Sequence, residues 1–320
     1  MGKILFIRGG AVGDFILTLP AIQLVREQLP EAEVEVLGYP PVTRLAEAAG
    51  LAHRTRSIEY GPLSSFFVPN SLLSPELMDY FKSFSVVISY LYDPDGFFGE
   101  NLKRCGVDTL FVGPHKIDLD LADQPAASQL ARPLEQLALF LEKPHVALEF
   151  DEASKRAADD FFDARAVEET VRWVALHPGS GSPRKNWSFE GWIRVAENLS
   201  EADPTLRFLI VSGEAEDRVI AEFHQLLDRA GLSHASASHL SLPVLGAILQ
   251  RCELFLGHDS GISHLAAACG VPAVLLFGPT DPGIWAPQNP DVTTIQAPGG
   301  DLSKIKADEV TAAALESLTN

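Results

Sequence analysis

Several short loops of this sequence gather residues that can hold or move charge. RGGAVGDF, residues 8–15, places Gly9, Gly10 and Gly13 ahead of Asp14, between the apolar run KILFI and the helix-spaced run ILTLPAIQLVREQL. A glycine-rich turn between a first strand and a first helix is a common seat for a nucleotide phosphate, because the helix N-terminus offers free N–H groups. This turn does not fit that use. The dinucleotide fingerprint needs G-x-G-x-x-G and the P-loop needs Gly-Lys-Ser/Thr, whereas here a carboxylate follows Gly13 and would repel phosphate. Asp14 is either a helix cap or a group with chemistry of its own.

Better anion sites stand in the second half. HPGSGSPRKNW, 177–187, is rich in Gly, Ser and Pro and ends in Arg184 and Lys185. It can offer backbone N–H groups, hydroxyls and charge to an anion, or it can be a polar surface loop with two solvated cations. In GHDSGISHLAAACG, 257–270, Asp259 or Ser260 can cap a helix starting near Gly261, whose free N–H groups suit a phosphate. His264 lies about one turn in from Ser260 and could face the same ligand. His258 and His264 could equally be structural, and a zinc site of His258, Asp259 and His264 matches no standard spacing. VSGEAEDR, 211–218, carries acidic residues that could bind ribose hydroxyls or merely complement a helix dipole. FGPTDPGIWAP, 277–287, is a fourth Gly/Pro-rich exit. All four follow predicted strands, and their convergence weighs more than any one motif.

The elements that must carry these loops alternate. Strands are predicted at 3–7, 33–39, 85–90 and 109–113, with helices near 15–28, 42–49, 97–105 and 128–142. Residues 61–75 read as a long loop with exposed aromatics, a possible binding loop by its composition. The charged stretch 151–169 suits a domain junction. The pattern then restarts, with strands at 172–179, 207–213, 253–258 and 273–278 and helices at 189–200, 215–230, 242–250 and 262–269. A last helix near 308–318 would begin at an Asp308 cap. Nearly all-apolar strands such as FLIV and AVLLF, alternating with helices, imply parallel sheets covered on both faces. The reading is α/β, with two doubly wound, Rossmann-like domains, 1–165 and 166–320, facing across a cleft. Whether the last helix packs back on the N-terminal domain is left open.

Composition narrows the function. A net charge of −18 argues against non-specific nucleic-acid binding and against broad adhesion to anionic lipid. No apolar run approaches the ~20 residues of a membrane span, and Met1 leads directly into a strand, leaving no room for a signal peptide. Cys105, Cys252 and Cys269 fit a reducing cytosol and lack metal-site spacing. The missing glycine fingerprint disfavours a nicotinamide oxidoreductase.

Taken together, KILFIRGGAVGDFILTLPAI, HPGSGSPRKNWSFEGW and DSGISHLAAACGVPAVLLFGPTDP resemble glycosyltransferase family nine, the ADP-heptose:lipopolysaccharide heptosyltransferases. The resemblance runs from residue 3 to at least 285. It implies a GT-B fold, with the N-terminal domain on the acceptor side and the C-terminal domain binding the donor nucleotide sugar. It implies inverting, metal-independent transfer, possible for a heptose from an ADP-linked sugar, with no cofactor beyond the donor substrate. The acceptor would be a lipopolysaccharide-core or other glycan or glycolipid. Asp14 matches the proposed general base and Lys185 the lysine at the donor phosphates. Glu216 matches an acidic residue near the ribose, and Leu240 an apolar residue against adenine. Asp259, Ser260, Gly261 and His264 match the motif at the diphosphate and sugar. Ser180 and Gly181 of the 177–187 loop join this donor set, while Arg8, Arg54 and Arg56 could receive an anionic acceptor or be solvated cations. The expected location is the cytoplasm, with at most peripheral contact at the inner face of its membrane. The alternatives are a GT-B sugar-nucleotide epimerase and a non-catalytic nucleotide-sugar-binding protein.

Overall fold

The continuous apolar runs become the interior strands of two parallel sheets. The computed structural model describes residues 2–121, 123–165 and 171–319. It divides into two units, Met1–Val146 and Ala147–Asn320. The first unit contains β1 (Lys3–Arg8), α1 (Val12–Ile16), α2 (Leu19–Gln28), β2 (Glu33–Gly38), α3 (Pro40–Ala48), β3 (Arg54–Ser57), α4 (Pro75–Lys82), β4 (Val86–Ser89), α5 (Phe97–Arg104), β5 (Leu110–Val112) and α6 (Ala126–Ala131). The second contains α7 (Glu152–Asp163), β6 (Arg172–Leu176), α8 (Phe189–Ala202), β7 (Leu206–Ser212), α9 (Ile220–Arg229), β8 (His234–Ser238), α10 (Leu242–Leu249), β9 (Leu254–His258), α11 (Gly261–Ala268), β10 (Ala273–Phe277), α12 (Pro282–Trp285), β11 (Val292–Gln296) and α13 (Ala307–Thr319).

The strand orders are β3-β2-β1-β4-β5 and β11-β10-β9-β6-β7-β8, and every recorded pairing is parallel. Each sheet therefore reverses direction of winding once, between β1 and β4 and between β6 and β9. In an open parallel sheet that reversal opens a crevice at the strands' C-terminal ends, where ligands bind. Val174, Leu176, Leu254, Leu256, Val274 and Leu276 are fully buried between the second sheet and helices α8, α9 and α13. Each such side chain contributes about 1.5–3 kcal/mol relative to exposure.

Several expectations need correction. The helix predicted at 15–28 is two helices, since α2 starts afresh at Leu19 with Pro20 in its first turn. Proline supplies no N–H to continue the preceding turn. The helix predicted at 128–142 ends early: after α6, residues Arg132–Leu137 form a 3-10 helix containing Pro133, and Ala138 adopts φ 56°. The 61–75 loop holds a 3-10 helix, Gly61–Phe67, which buries Leu63 and Phe66. Strands β3, β8 and β11, and helix α4, were not anticipated. The unit boundary falls after Val146 rather than after residue 165, because α7 packs on α10 of the second unit. The expected boundary borders 166–170, which lie outside the described residues. Helix α13 packs on α8 and the second sheet, burying Val310 and Ala314, so its main packing lies in the second unit. It begins at Ala307, which puts Asp308 inside the first turn.

Candidate active site

In the first unit, chain direction turns sharply after β1. Gly10 has φ +113°, a conformation that favours glycine, and a Cβ there would sit 2.8 Å from the Asp14 carboxylate. The glycine thus clears the space that Asp14 occupies. Asp14 lies in the first turn of α1 and reaches back to accept from the Ala11 N–H at 3.1 Å. Its other oxygen lies 3.4 Å from Arg8, and 40% of its side chain remains exposed. Asp14 is thus the third residue of the helix rather than its N-cap, which is Ala11, and the bond to the N-cap N–H holds its carboxylate in place with one face open.

The three arginines have three different settings. Arg8 is 5% exposed, lies over the Tyr90 ring and leaves its Nε buried without a partner. Burial lowers its pKa from the ordinary arginine value, against the opposing pull of Asp14. Arg56 donates to Glu76 at 2.8 Å and stacks on Tyr60 and Tyr80. Arg54 is exposed at the start of edge strand β3, opposite Glu35, whereas Arg8 pairs with Gly38 at the sheet's C-terminal edge. Three residues of strand separate those levels, roughly 10 Å. The three do not form a single basic receptor at that edge.

In the second unit, the loops after β6 and β9 are bonded to one another across the crevice. Lys185, ending a 3-10 turn, donates to Asp259 Oδ2 at 2.7 Å. Thr280, from the loop after β10, donates to the same oxygen at 2.8 Å. Ser260, the N-cap of α11, accepts from Ser263 N and lies 3.3 Å from His177 Nδ1. Between the two candidate caps, the structure thus selects Ser260 and uses Asp259 to hold the lysine. His264 is buried in the first turn of the same helix. Ser180 is buried, and its hydroxyl is engaged by Ser182 and Asn186, so it orders the loop. Gly181 is exposed at the loop's tip, and Leu240 is half-buried at the exit of β8.

His258 lies beneath these groups, fully buried against Trp192. Its Nε2 accepts from the Trp187 N–H at 2.7 Å, which leaves Nδ1 protonated toward the Gly179 carbonyl at 3.3 Å. Burial pushes its pKa down to about 3, so the ring is neutral. With both nitrogens engaged by backbone, His258 has no lone pair for zinc, and the sequence's zinc alternative loses a ligand. Among the described residues no group of three or more His, Cys, Asp or Glu is placed to hold a metal.

Glu216, in the loop after β7, is 4% exposed. It accepts from the Gly213 N–H at 2.9 Å and lies 3.6 Å from His177. Burial favours its neutral form, but His177 and the Gly213 N–H outweigh that and lower its pKa. Gly179 must be glycine for this arrangement, since a Cβ would lie 2.4 Å from the Glu216 side chain. Sequence reasoning missed His177, Asn186 and Thr280; the partners of His177 and Thr280 lie far along the chain, whereas Asn186 engages Ser180 within its own loop. All three had the same signal, a place in a Gly/Pro-rich strand exit: His177 and Asn186 in HPGSGSPRKNW and Thr280 in FGPTDPGIWAP.

The arrangement is a polar cradle with one ammonium, a helix N-terminus and backbone N–H groups at the C-terminal edge of a parallel sheet. That is chemistry for an anionic ligand. Residues 119–312 match the model of glycosyltransferase family 9 (heptosyltransferase). The chain belongs to glycosyltransferase family 9. It is thus a glycosyltransferase using a nucleotide-sugar donor, which decides against the epimerase alternative. Lipooligosaccharide heptosyltransferase 2 of Haemophilus ducreyi is 26% identical over 336 residues, covering 96% of this chain and 92% of that protein. The crystal structure of a family 9 glycosyl transferase from Veillonella parvula DSM 2008 superposes with a TM-score of 0.82 at 18% identity, covering 99% of this chain and 97% of that one. The E. coli ADP-heptose lps heptosyltransferase II gives a TM-score of 0.76 at 16% identity, with coverages of 99% and 98%. These structural likenesses show the fold, which is GT-B.

Proposed function

We propose that this enzyme moves a heptose, or a closely similar sugar, from an ADP-linked donor to a glycan acceptor with inversion. The observation that carries the reading is the joined pair of loops at the β6/β9 reversal, which presents the Lys185 ammonium beside the N-terminus of α11. The names of its relatives support heptose as the sugar. No cofactor is needed in this reading beyond the donor substrate.

The reaction is one displacement. The acceptor hydroxyl attacks the anomeric carbon while Asp14 takes its proton, and the bond from that carbon to the diphosphate oxygen breaks. The departing nucleoside diphosphate gains negative charge. Lys185, the α11 N-terminus and the N–H groups around Gly181 and Gly261 would stabilise it without a metal. Asp259 and Thr280 act through Lys185 by fixing where its ammonium sits. Leu240 would lie against the base, and Ser260 and His264 near the phosphates and sugar. Glu216 would meet the ribose from the loop after β7. A cavity of about 620 Å³ at the β10 and β11 exits, lined by Thr280 and Gly300, offers room beside this cradle. The acceptor would be a lipopolysaccharide-core type glycan reached from the cytoplasmic side of a membrane. No helix among the described residues is long and apolar enough to cross one.

Thermal unfolding in the presence of ADP, ADP-heptose, UDP and GDP tests the donor. At a hundredfold excess over its dissociation constant, a specific nucleotide adds about 2.7 kcal/mol. ADP and ADP-heptose should raise the midpoint well above UDP and GDP. Equal shifts for all four, or a larger shift with UDP, would remove the adenine assignment.

A further inference from the structure

Of the arginines expected to receive an anionic acceptor, Arg8 and Arg56 are engaged and Arg54 is exposed on an edge strand, and a different feature of the first unit also stands open. The exits of β4 and β5 border a cavity of about 490 Å³, within the range of small-molecule sites. Tyr92, 63% exposed, and His115 lie on it with ring centroids 4.7 Å apart. Val112, also largely exposed, adds apolar surface. The charged groups on its wall are Asp93, Glu100 and Lys103.

We infer that this cavity is a subsite for an uncharged sugar unit of the acceptor. The inference rests on the reading that the first unit handles the acceptor and Asp14 is its base. Three observations converge on it. A pyranose ring has a C–H face, slightly positive, that suits the negative face of an aromatic ring, and a rim of hydroxyls that both donate and accept. Tyr92 and His115 supply rings, and Asp93 and Glu100 supply acceptors. Asp93 already takes the Phe98 and Gly99 N–H groups at 3.1 and 2.9 Å, which fixes its carboxylate and leaves lone pairs over.

The second observation is charge. Two carboxylates against one ammonium make a poor receptor for phosphate or carboxylate, in a chain that already carries −18. Arg8 and Arg56, two of the cations offered by the sequence, are engaged by Asp14 and Glu76.

The third is position. β4 pairs with β1, so the cavity lies on the same C-terminal edge as the turn that presents Asp14. Leu91 belongs to the cavity wall, and its Cδ2 is 3.7 Å from where a Gly9 Cβ would be. Leu91 thus joins the cavity wall to the glycine turn that carries Asp14.

Saturation-transfer NMR on the full chain tests this with methyl glycosides of mannose, glucose and galactose, set against mannose 6-phosphate and N-acetylneuraminic acid. At least one neutral glycoside should receive saturation, and the anionic sugars should not. Tyr92→Ala should weaken that binding at least tenfold and Tyr92→Phe should preserve it, with ADP affinity by calorimetry unchanged in both. Absence of transfer to every neutral glycoside, preference for the anionic sugars, or binding that survives Tyr92→Ala would each overturn the subsite. ADP binding reads the donor assignment separately, so its loss in the unmodified chain would indict that reading and not this one.

Discussion

The two sheets reverse their winding in the same way, yet the two reversals are furnished oppositely. At β6/β9 the loops are cross-bonded by Lys185–Asp259, His177–Ser260 and the backbone contacts of buried His258. At β1/β4 the polar groups turn back on themselves. Asp14 binds its own Ala11 N–H and Arg8, and keeps 40% of its side chain exposed. A shared topology supplies a place for a ligand, and the first turn decides its charge. The second unit's turn supplies cations and N–H groups for an anion. The first unit's turn supplies a carboxylate, which suits a partner that brings a proton.

The sharpest way to break this contrast is Asp14→Asn. The amide oxygen can still accept from Ala11 N–H, so the turn should persist. Proton acceptance is lost, and kcat should fall on the order of a hundredfold or more. ADP affinity should not change, because the second unit is untouched. Near-normal turnover would remove Asp14 as the base, and an equal loss of ADP affinity would show that the division of labour is wrong.

Lys185→Ala probes the other side. A hydrogen bond to a charged group contributes about 1.5–3 kcal/mol, so ADP affinity should drop roughly ten- to hundredfold by calorimetry. The variant also leaves Asp259 with Thr280 as its recorded side-chain donor, an unbalanced carboxylate beside the incoming phosphates. Lys185→Arg should restore part of the loss. Unchanged ADP affinity in Lys185→Ala would leave the cradle without its cation.

The same contrast explains what was readable in advance. Interior strands such as FLIV and AVLLF announce themselves because both faces are buried. The edge strands RTRS and HASAS do not, since an edge faces water and is kept polar. The loops that bear Asp14, Lys185 and Ser260 were legible from glycine and charge placed after apolar runs. Their wiring was not. Asp259 was available as a cap, and only the fold shows it 74 residues along the chain from the lysine it binds. The Arg54/Arg56 pair looked alike in sequence, but the fold engages Arg56 with Glu76 and two tyrosine rings and leaves Arg54 exposed at the start of its strand. Tyr92 and His115 meet through the pairing of β4 with β5, which no local pattern encodes.

The smallest effect is a dependence on pH confined to the second unit. His258 is neutral in the fold with its pKa pushed to about 3, while in the unfolded chain it regains the ordinary value near 6.5. Between those values the unfolded state binds more protons, so acid favours unfolding. The contribution is complete above pH 6.5 and is lost as pH falls, at a slope approaching about 1.4 kcal/mol per pH unit. The lowered pKa of Glu216 acts in the same direction but only near and below the ordinary carboxylate range. Burial and the neighbouring His234 also lower the pKa of His224, which adds to the slope between pH 6.5 and 5, so the difference between the parent protein and a His258 variant is what reports His258. All four tryptophans, Trp173, Trp187, Trp192 and Trp285, lie in the second unit, so their fluorescence in denaturant titrations reads that unit alone. His258→Gln keeps an acceptor and a donor without titrating. It should reduce the slope in this window even if it lowers stability overall. Parallel slopes in the two proteins would mean that His258 is not the buried neutral link between the loops.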